Sequence, residues 1–149
     1  MNGGLNMKVG EHEVKDGYHY TKKHEWVQVV GDKVRVGITD YAQSMMGEIT
    51  FIDLVLESGP LNEGASLKAG DKIAEIESHK AVEDVFSGVS GTVAKTNTQL
   101  TDLPGTVNED PYGKGWFIEV TPSNLDKDKQ ALLTPKQYAD FLKEELEKS

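Results

Sequence analysis

Apolar and polar positions alternate at period two through much of this chain, and that alternation predicts strands. Val27 and Val29 precede Gly31-Asp32, and Val34, Val36 and Ile38 follow it, which describes a hairpin with one buried face between Tyr20 and Ile38. Thr39 or Asp40 can cap a short helix from Tyr41 to Met46, which Gly47 would end. Ile49 to Leu56 is a nearly continuous apolar run and predicts a strand covered on both faces. A second hairpin is read around Lys80. Ala74 and Ile76 alternate with Glu75 and Glu77 before it, Val82 and Val85 follow, and Ser78, His79 and Lys80 lie at the reversal. Turn propensity alone does not predict that reversal, because Ser-His-Lys-Ala contains neither Asn-Gly nor Asp-Gly.

The intervening segments are rich in turn formers. Residues 57–72 read as a long loop with Leu61 and Leu67 as anchors, and Thr101 to Gly115 as an ordered irregular loop leading to a strand with Trp116, Ile118 and Val120. Ser123 and Asn124 can start a short helical turn. Thr134-Pro135-Lys136-Gln137 resembles a capping box, and Tyr138, Phe141, Leu142 and Leu146 then form a stripe at helical spacing, read as core packing rather than a partner groove. Residues 1–17 show no apolar periodicity and are expected to be a flexible extension, leaving one domain from 18 to 149. The pattern predicts a mainly β fold, an antiparallel sandwich with a short helix after the first hairpin and a helix at the C-terminus.

Composition narrows the partners. Twenty-five acidic against sixteen basic residues leave a formal charge of −9, which opposes nucleic acid and anionic membrane and favours partners with basic docking surfaces. No apolar run approaches the roughly 20 residues that span a bilayer, and the N-terminal residues have neither a signal-peptide core nor an arginine-rich amphipathic character, so a cytoplasmic protein is expected. The chain has no cysteine, which removes disulfides, thiolate metal sites and cysteine nucleophiles. His19 and His24 lack further ligands at a suitable spacing, so no metal site is expected.

Lys80 is the residue whose setting suggests chemistry. A hydrated lysine ammonium is a poor nucleophile unless burial or a nearby cation depresses its pKa, and the neighbours here are carboxylates, so Lys80 reads as a point of attachment rather than a catalyst. Glu75, Glu77, Glu83 and Asp84 have nothing to set their pKa values apart, as an acid/base pair requires, and read as a recognition surface.

Glu77-Ser78-His79-Lys80-Ala81 resembles the lipoyl-attachment motif of glycine cleavage system H proteins, in which a valine usually stands at the position of His79. Further blocks similar to that family occur in its order: His24 to Val27, Val36 to Gln43, Val89 to Val93 and Val107 to Trp116. The resemblance implies a barrel-sandwich hybrid fold and a noncatalytic carrier with lipoic acid in amide linkage to Lys80. It further implies glycine decarboxylase, aminomethyltransferase and dihydrolipoamide dehydrogenase as partners, with a lipoate ligase or lipoyl transferase to attach the group. Glu77, Ser78, His79, Ala81 and Glu83 would then be recognised by these enzymes. Glu25 would contact an aminomethyl ammonium or, equally, be a surface carboxylate beside a strand. The chain departs from the family pattern at His79, at Gly88, where proline is common, and in the longer segment 57–72. Those departures leave a second reading: an H-like carrier for another cargo, such as sulfur intermediates oxidised with heterodisulfide-reductase-like partners.

Overall fold

The computed structural model describes residues 6–148. Strands β1 (Met7–Val9), β2 (His12–Val14) and β3 (His19–Tyr20) come first, then β4 (Glu25–Val30) and β5 (Lys33–Ile38), helix α1 (Asp40–Met46) and strand β6 (Ile49–Leu56). Short strands β7 (Gly59–Pro60) and β8 (Ser66–Leu67) precede the hairpin of β9 (Lys72–Ser78) and β10 (Val82–Phe86). Strand β11 (Gly91–Thr96), helices α2 (Gln99–Asp102) and α3 (Thr106–Glu109), strand β12 (Ile118–Pro122), and helices α4 (Leu125–Ala131) and α5 (Pro135–Lys148) complete the chain.

A six-stranded sheet in the order β3-β4-β5-β12-β11-β8 faces a four-stranded sheet in the order β10-β9-β6-β7, with every pairing antiparallel. Their inward residues form one apolar core, including Val34, Val36, Ile52, Ile73, Ile76, Val93, Ile118 and Val120. The period-two reading of β4 and β5 holds, since Val27 pairs with Val36 and the chain turns at Gly31-Asp32 with Gly31 at φ 63°. A second, aromatic cluster lies under α5: Tyr18, Tyr20, Trp26, Tyr112, Tyr138 and Leu142. The capping box forms as expected. Thr134 N donates to the Gln137 side-chain oxygen at 2.9 Å, and Gln137 N donates to Thr134 Oγ1 at 3.2 Å. Along the stripe, Tyr138 and Leu142 are fully buried, whereas Phe141 and Leu146 are half-buried.

Three expectations are corrected. Residues 7–14 are not part of a flexible extension: β1 and β2 form a hairpin whose Val14 is buried in the aromatic cluster. Glu13 N donates to Asp40 Oδ2 at 2.8 Å, and Tyr112 Oη donates to Glu13 O at 2.8 Å, so tertiary bonds hold a hairpin with few apolar residues of its own. Residues 1–5 lie outside the described residues. Strand β6 is covered on one face only, because Thr50, Phe51 and Asp53 point outward. Segment 57–72 is not a plain loop, since β7 pairs back on β6 and β8 adds to β11 with Leu61 and Leu67 as buried anchors. No helix among the described residues is long and apolar enough to cross a membrane.

Candidate functional site

The β9–β10 reversal is built by Ser78, which replaces turn propensity with side-chain bonding. Ser78 N donates to Ala81 O at 2.9 Å, closing the turn. Ser78 Oγ then accepts from Lys80 N at 3.1 Å and Ala81 N at 3.2 Å, and donates to Met46 O of α1 at 2.6 Å. A serine hydroxyl can hold backbone amides in a turn, and this one also ties the hairpin to a helix of the facing wall. Lys80 stands exposed at the tip. Its stem crosses Gly47, the residue that ends α1 with φ 73°: a β-carbon there would lie 3.0 Å from Lys80 Cδ. Asn108 fixes this helix end from behind. Its side-chain nitrogen donates to Gly47 O at 2.8 Å and to Gln43 Oε1 at 2.9 Å, while its oxygen accepts from Ile49 N at 2.9 Å.

Beside the tip lies a cleft of about 370 Å³ between α1, the β9–β10 hairpin and the start of β4. Ala42, Met45, Met46, Ile76, Ala81 and Val85 make its walls largely apolar, with Lys23, Glu25, Glu83 and Asp84 as its charged residues. Two methionines on one helical wall give a soft, adaptable surface.

Glu25 is 3% exposed, so it is not a surface carboxylate. Oε1 accepts from Thr21 Oγ1 at 2.8 Å and Oε2 from Phe86 N of β10 at 2.8 Å. Burial raises its pKa above the ordinary carboxylate value, against the opposing pull of the Phe86 amide and the Thr21 hydroxyl. His24, one residue earlier, adopts φ 69°, a left-handed conformation that costs a non-glycine residue about 1–2 kcal/mol. It is held there by Thr39 N donating to His24 O at 3.0 Å and by a 2.8 Å hydrogen bond between His24 Nδ1 and Tyr138 Oη. This kink turns three consecutive residues, Glu25, Trp26 and Val27, into buried positions, which simple alternation does not anticipate.

The structure thus brings Glu25, Ala81 and Glu83 to one cleft beside Lys80, with Ser78 as the tether. Glu77 is elsewhere: it pairs with Val82 and Phe51 on the outer face of the sheet. His79 is exposed, and nothing in the structure explains why it stands where valine is usual. Gly88 has a local reason, since a β-carbon there would approach Leu132 Cδ2 to 3.0 Å and Val27 Cγ2 to 3.2 Å. The sequence reading missed Met45, Met46, Ile76 and Asp84 as cleft residues, and Gly47 as the seat of the lysine stem. The adjacent methionines before Gly47 were the available signal. Among the described residues no group of three or more metal-ligating side chains occurs.

A family model described as "Glycine cleavage H-protein" matches residues 18–145. A "Probable glycine cleavage system H protein" from Pyrococcus abyssi is 44% identical over 138 residues, spanning 92% of this chain and 98% of that one. The glycine cleavage system H protein of Rubrobacter xylanophilus is 43% identical over 133 residues, spanning 89% and 98%. The crystal structure of a glycine cleavage system H protein from Mycobacterium marinum superposes with a TM-score of 0.71 at 35% identity, covering 83% of this chain and 94% of that one. The fold is accordingly the barrel-sandwich hybrid that the motif resemblance implied. A match across nearly the whole domain, the same architecture and several motif blocks in one order agree: the chain belongs to the glycine cleavage H-protein family.

Proposed function

We propose that this protein is the noncatalytic lipoyl carrier of a glycine cleavage system, with lipoic acid in amide linkage to Lys80. The observation that carries this reading is the joint placement of an exposed Lys80 on a tethered tip and an apolar cleft beside it that contains a buried carboxylate. A short aliphatic acyl arm fits such walls, and the residue that bears it is the one amine at the tip. Lipoic acid held on Lys80 would supply reversible disulfide and carbon–sulfur chemistry to glycine decarboxylase, aminomethyltransferase and dihydrolipoamide dehydrogenase, while this chain's residues position it.

Each part of the chain then has a definite task. Ser78 and Gly47 fix the base of the arm. The buried Met46 and Val85, with Ala42 and the exposed Met45, give the arm an apolar wall. Glu25 offers an anionic end to the cleft: both oxygens already accept one bond, and each retains acceptor capacity for an ammonium. A cation there would favour the ionised carboxylate that burial alone disfavours. No residue is assigned acid/base or nucleophilic work, which makes the protein a positioning and protecting subunit. The relatives bear the name of glycine cleavage, and this disfavours the sulfur-carrier reading. Reconstitution with the three glycine-cleavage enzymes tests the proposal: turnover should require the lipoylated chain. A fully lipoylated chain that supports no turnover with cognate enzymes overturns it.

A further inference from the structure

The outer face of the β6–β9–β10 sheet is a row pattern set by register. Phe51 and Val82 both pair with Glu77, so the three side chains share one row directly below the lysine tip. Phe51 is 46% exposed and Val82 68% exposed. In the next row Asp53 and Asp84 both pair with Glu75, and beyond it Lys72 bonds Glu75 and lies 3.9 Å from Asp84. The face therefore has Glu77 between two exposed apolar side chains in the row next to Lys80, then a band in which Asp53, Glu75 and Asp84 outweigh Lys72. It lies on the opposite side of the sheet from Ile76, and of its residues only Asp84 also borders the cleft. Scattered apolar residues on a surface mean little, but here Phe51 and Val82 flank the exposed Glu77 in a single row, on rigid paired strands adjoining the residue to be modified.

We propose that this face, with Phe51 and Val82 on either side of Glu77 and Asp53, Glu75 and Asp84 as its charged border, is the docking surface for the enzyme that acylates Lys80. That partner presents an apolar pocket flanked by lysine or arginine side chains. The proposal rests on the reading of Lys80 as the attachment residue and adds which face of the hairpin is grasped. Enzymes that use the loaded arm can meet it at the end of its reach. The acylating enzyme has no arm to meet: Lys80 Nζ must itself attack the carbonyl of an activated lipoyl ester or anhydride. The N–C bond forms, the bond to the leaving oxygen breaks, and one amine proton is lost. Its active site has to close to within one side-chain length of the tip, where the first surface it meets is the row of Phe51 and Val82. Complementary charge orients such an encounter, and apolar anchors at its centre hold it.

The test uses a lipoate–protein ligase with ATP and lipoate, reading kcat/KM for the full chain as substrate by intact mass. Phe51→Thr combined with Val82→Thr leaves both strands with β-branched, strand-favouring residues and should lower kcat/KM about tenfold, through KM, at an unchanged melting temperature. Asp53→Asn with Asp84→Asn should flatten the dependence of kcat/KM on salt, while Glu144→Gln on α5 should leave it as it was. Binding of the Lys80→Arg chain to the same ligase, with and without Phe51→Thr, probes the face without acylation; the Thr variant should bind more weakly. Acylation and binding that are indifferent to Phe51 and Val82 in folded protein overturn the docking surface, as does normal acylation of variants that lose turnover only with the decarboxylase. A ligase that binds the chain through this face yet leaves Lys80 unmodified instead overturns the attachment reading.

Discussion

The β4–β5 and β9–β10 hairpins reverse the chain in opposite ways. At Gly31-Asp32 the glycine takes φ 63° and has no atom within contact distance of a would-be β-carbon, so the turn is local and points into open solvent. At Ser78–Ala81 there is no glycine; the reversal is held by a hydroxyl that also bonds Met46 O across to α1. A local turn fixes only its own shape. The tethered turn fixes its position relative to the cleft, which is what the proposed attachment of a long arm to Lys80 requires. The protein spends tertiary bonds where placement matters and leaves the other tip to turn chemistry.

The largest effect should come from the shared base of the carrier hairpin. Ile76→Ala empties a buried position that also walls the cleft and should cost about 2–5 kcal/mol in chemical denaturation. A cost well below 1 kcal/mol would mean that the hairpin is not seated on the core. Ser78→Ala leaves the Lys80 and Ala81 amides without their shared acceptor and should cost about 1–2 kcal/mol while slowing acylation of Lys80. The matching change in the other hairpin, Gly31→Ala, should cost about 1 kcal/mol through backbone strain alone and leave acylation at the wild-type rate. If both substitutions act equally on acylation, the distinction between tethered and local turns fails.

A smaller effect concerns pH. Burial raises the folded-state pKa of Glu25, so the folded form binds a proton more readily than the unfolded one. Relative to Glu25→Gln, the wild type should be best placed below the unfolded carboxylate value of 4.5 and lose stability as pH rises through the raised folded value. Denaturation midpoints of the two proteins at pH 4 and pH 7 measure this; a difference that does not move, or moves toward the wild type at pH 7, contradicts the assigned cause.

These contrasts also explain what could be read in the sequence. The Gly31-Asp32 turn, the Thr39 cap and the Thr134–Gln137 box are local devices whose residues carry their own instructions, and all three appear where expected. The place of Lys80 at a strand reversal was legible because strand alternation on both sides converges on it. Ser78 as a tether was not, since its partner Met46 is 32 residues away. The N-terminal hairpin was missed because its strands are too short to show a period: Met7, Val9 and Val14 pack on the aromatic cluster, and Asp40 and Tyr112, distant in sequence, bond it. Glu25 was ambiguous because its burial depends on the kink at His24, imposed by Tyr138 from α5. The run from Ile49 to Leu56 looked doubly covered, yet Phe51 faces outward and is exposed.

The most direct test of the account is the site of attachment. The chain is coexpressed with a lipoate ligase, its intact mass is measured and the modified peptide is mapped, in parallel with Lys80→Arg, whose guanidinium retains the charge but not an acylable amine. The account predicts a gain of one lipoyl group confined to Lys80, and a Lys80→Arg protein that folds normally, gains no mass and supports no turnover. Added mass on another lysine, or turnover sustained by the arginine variant, would contradict it.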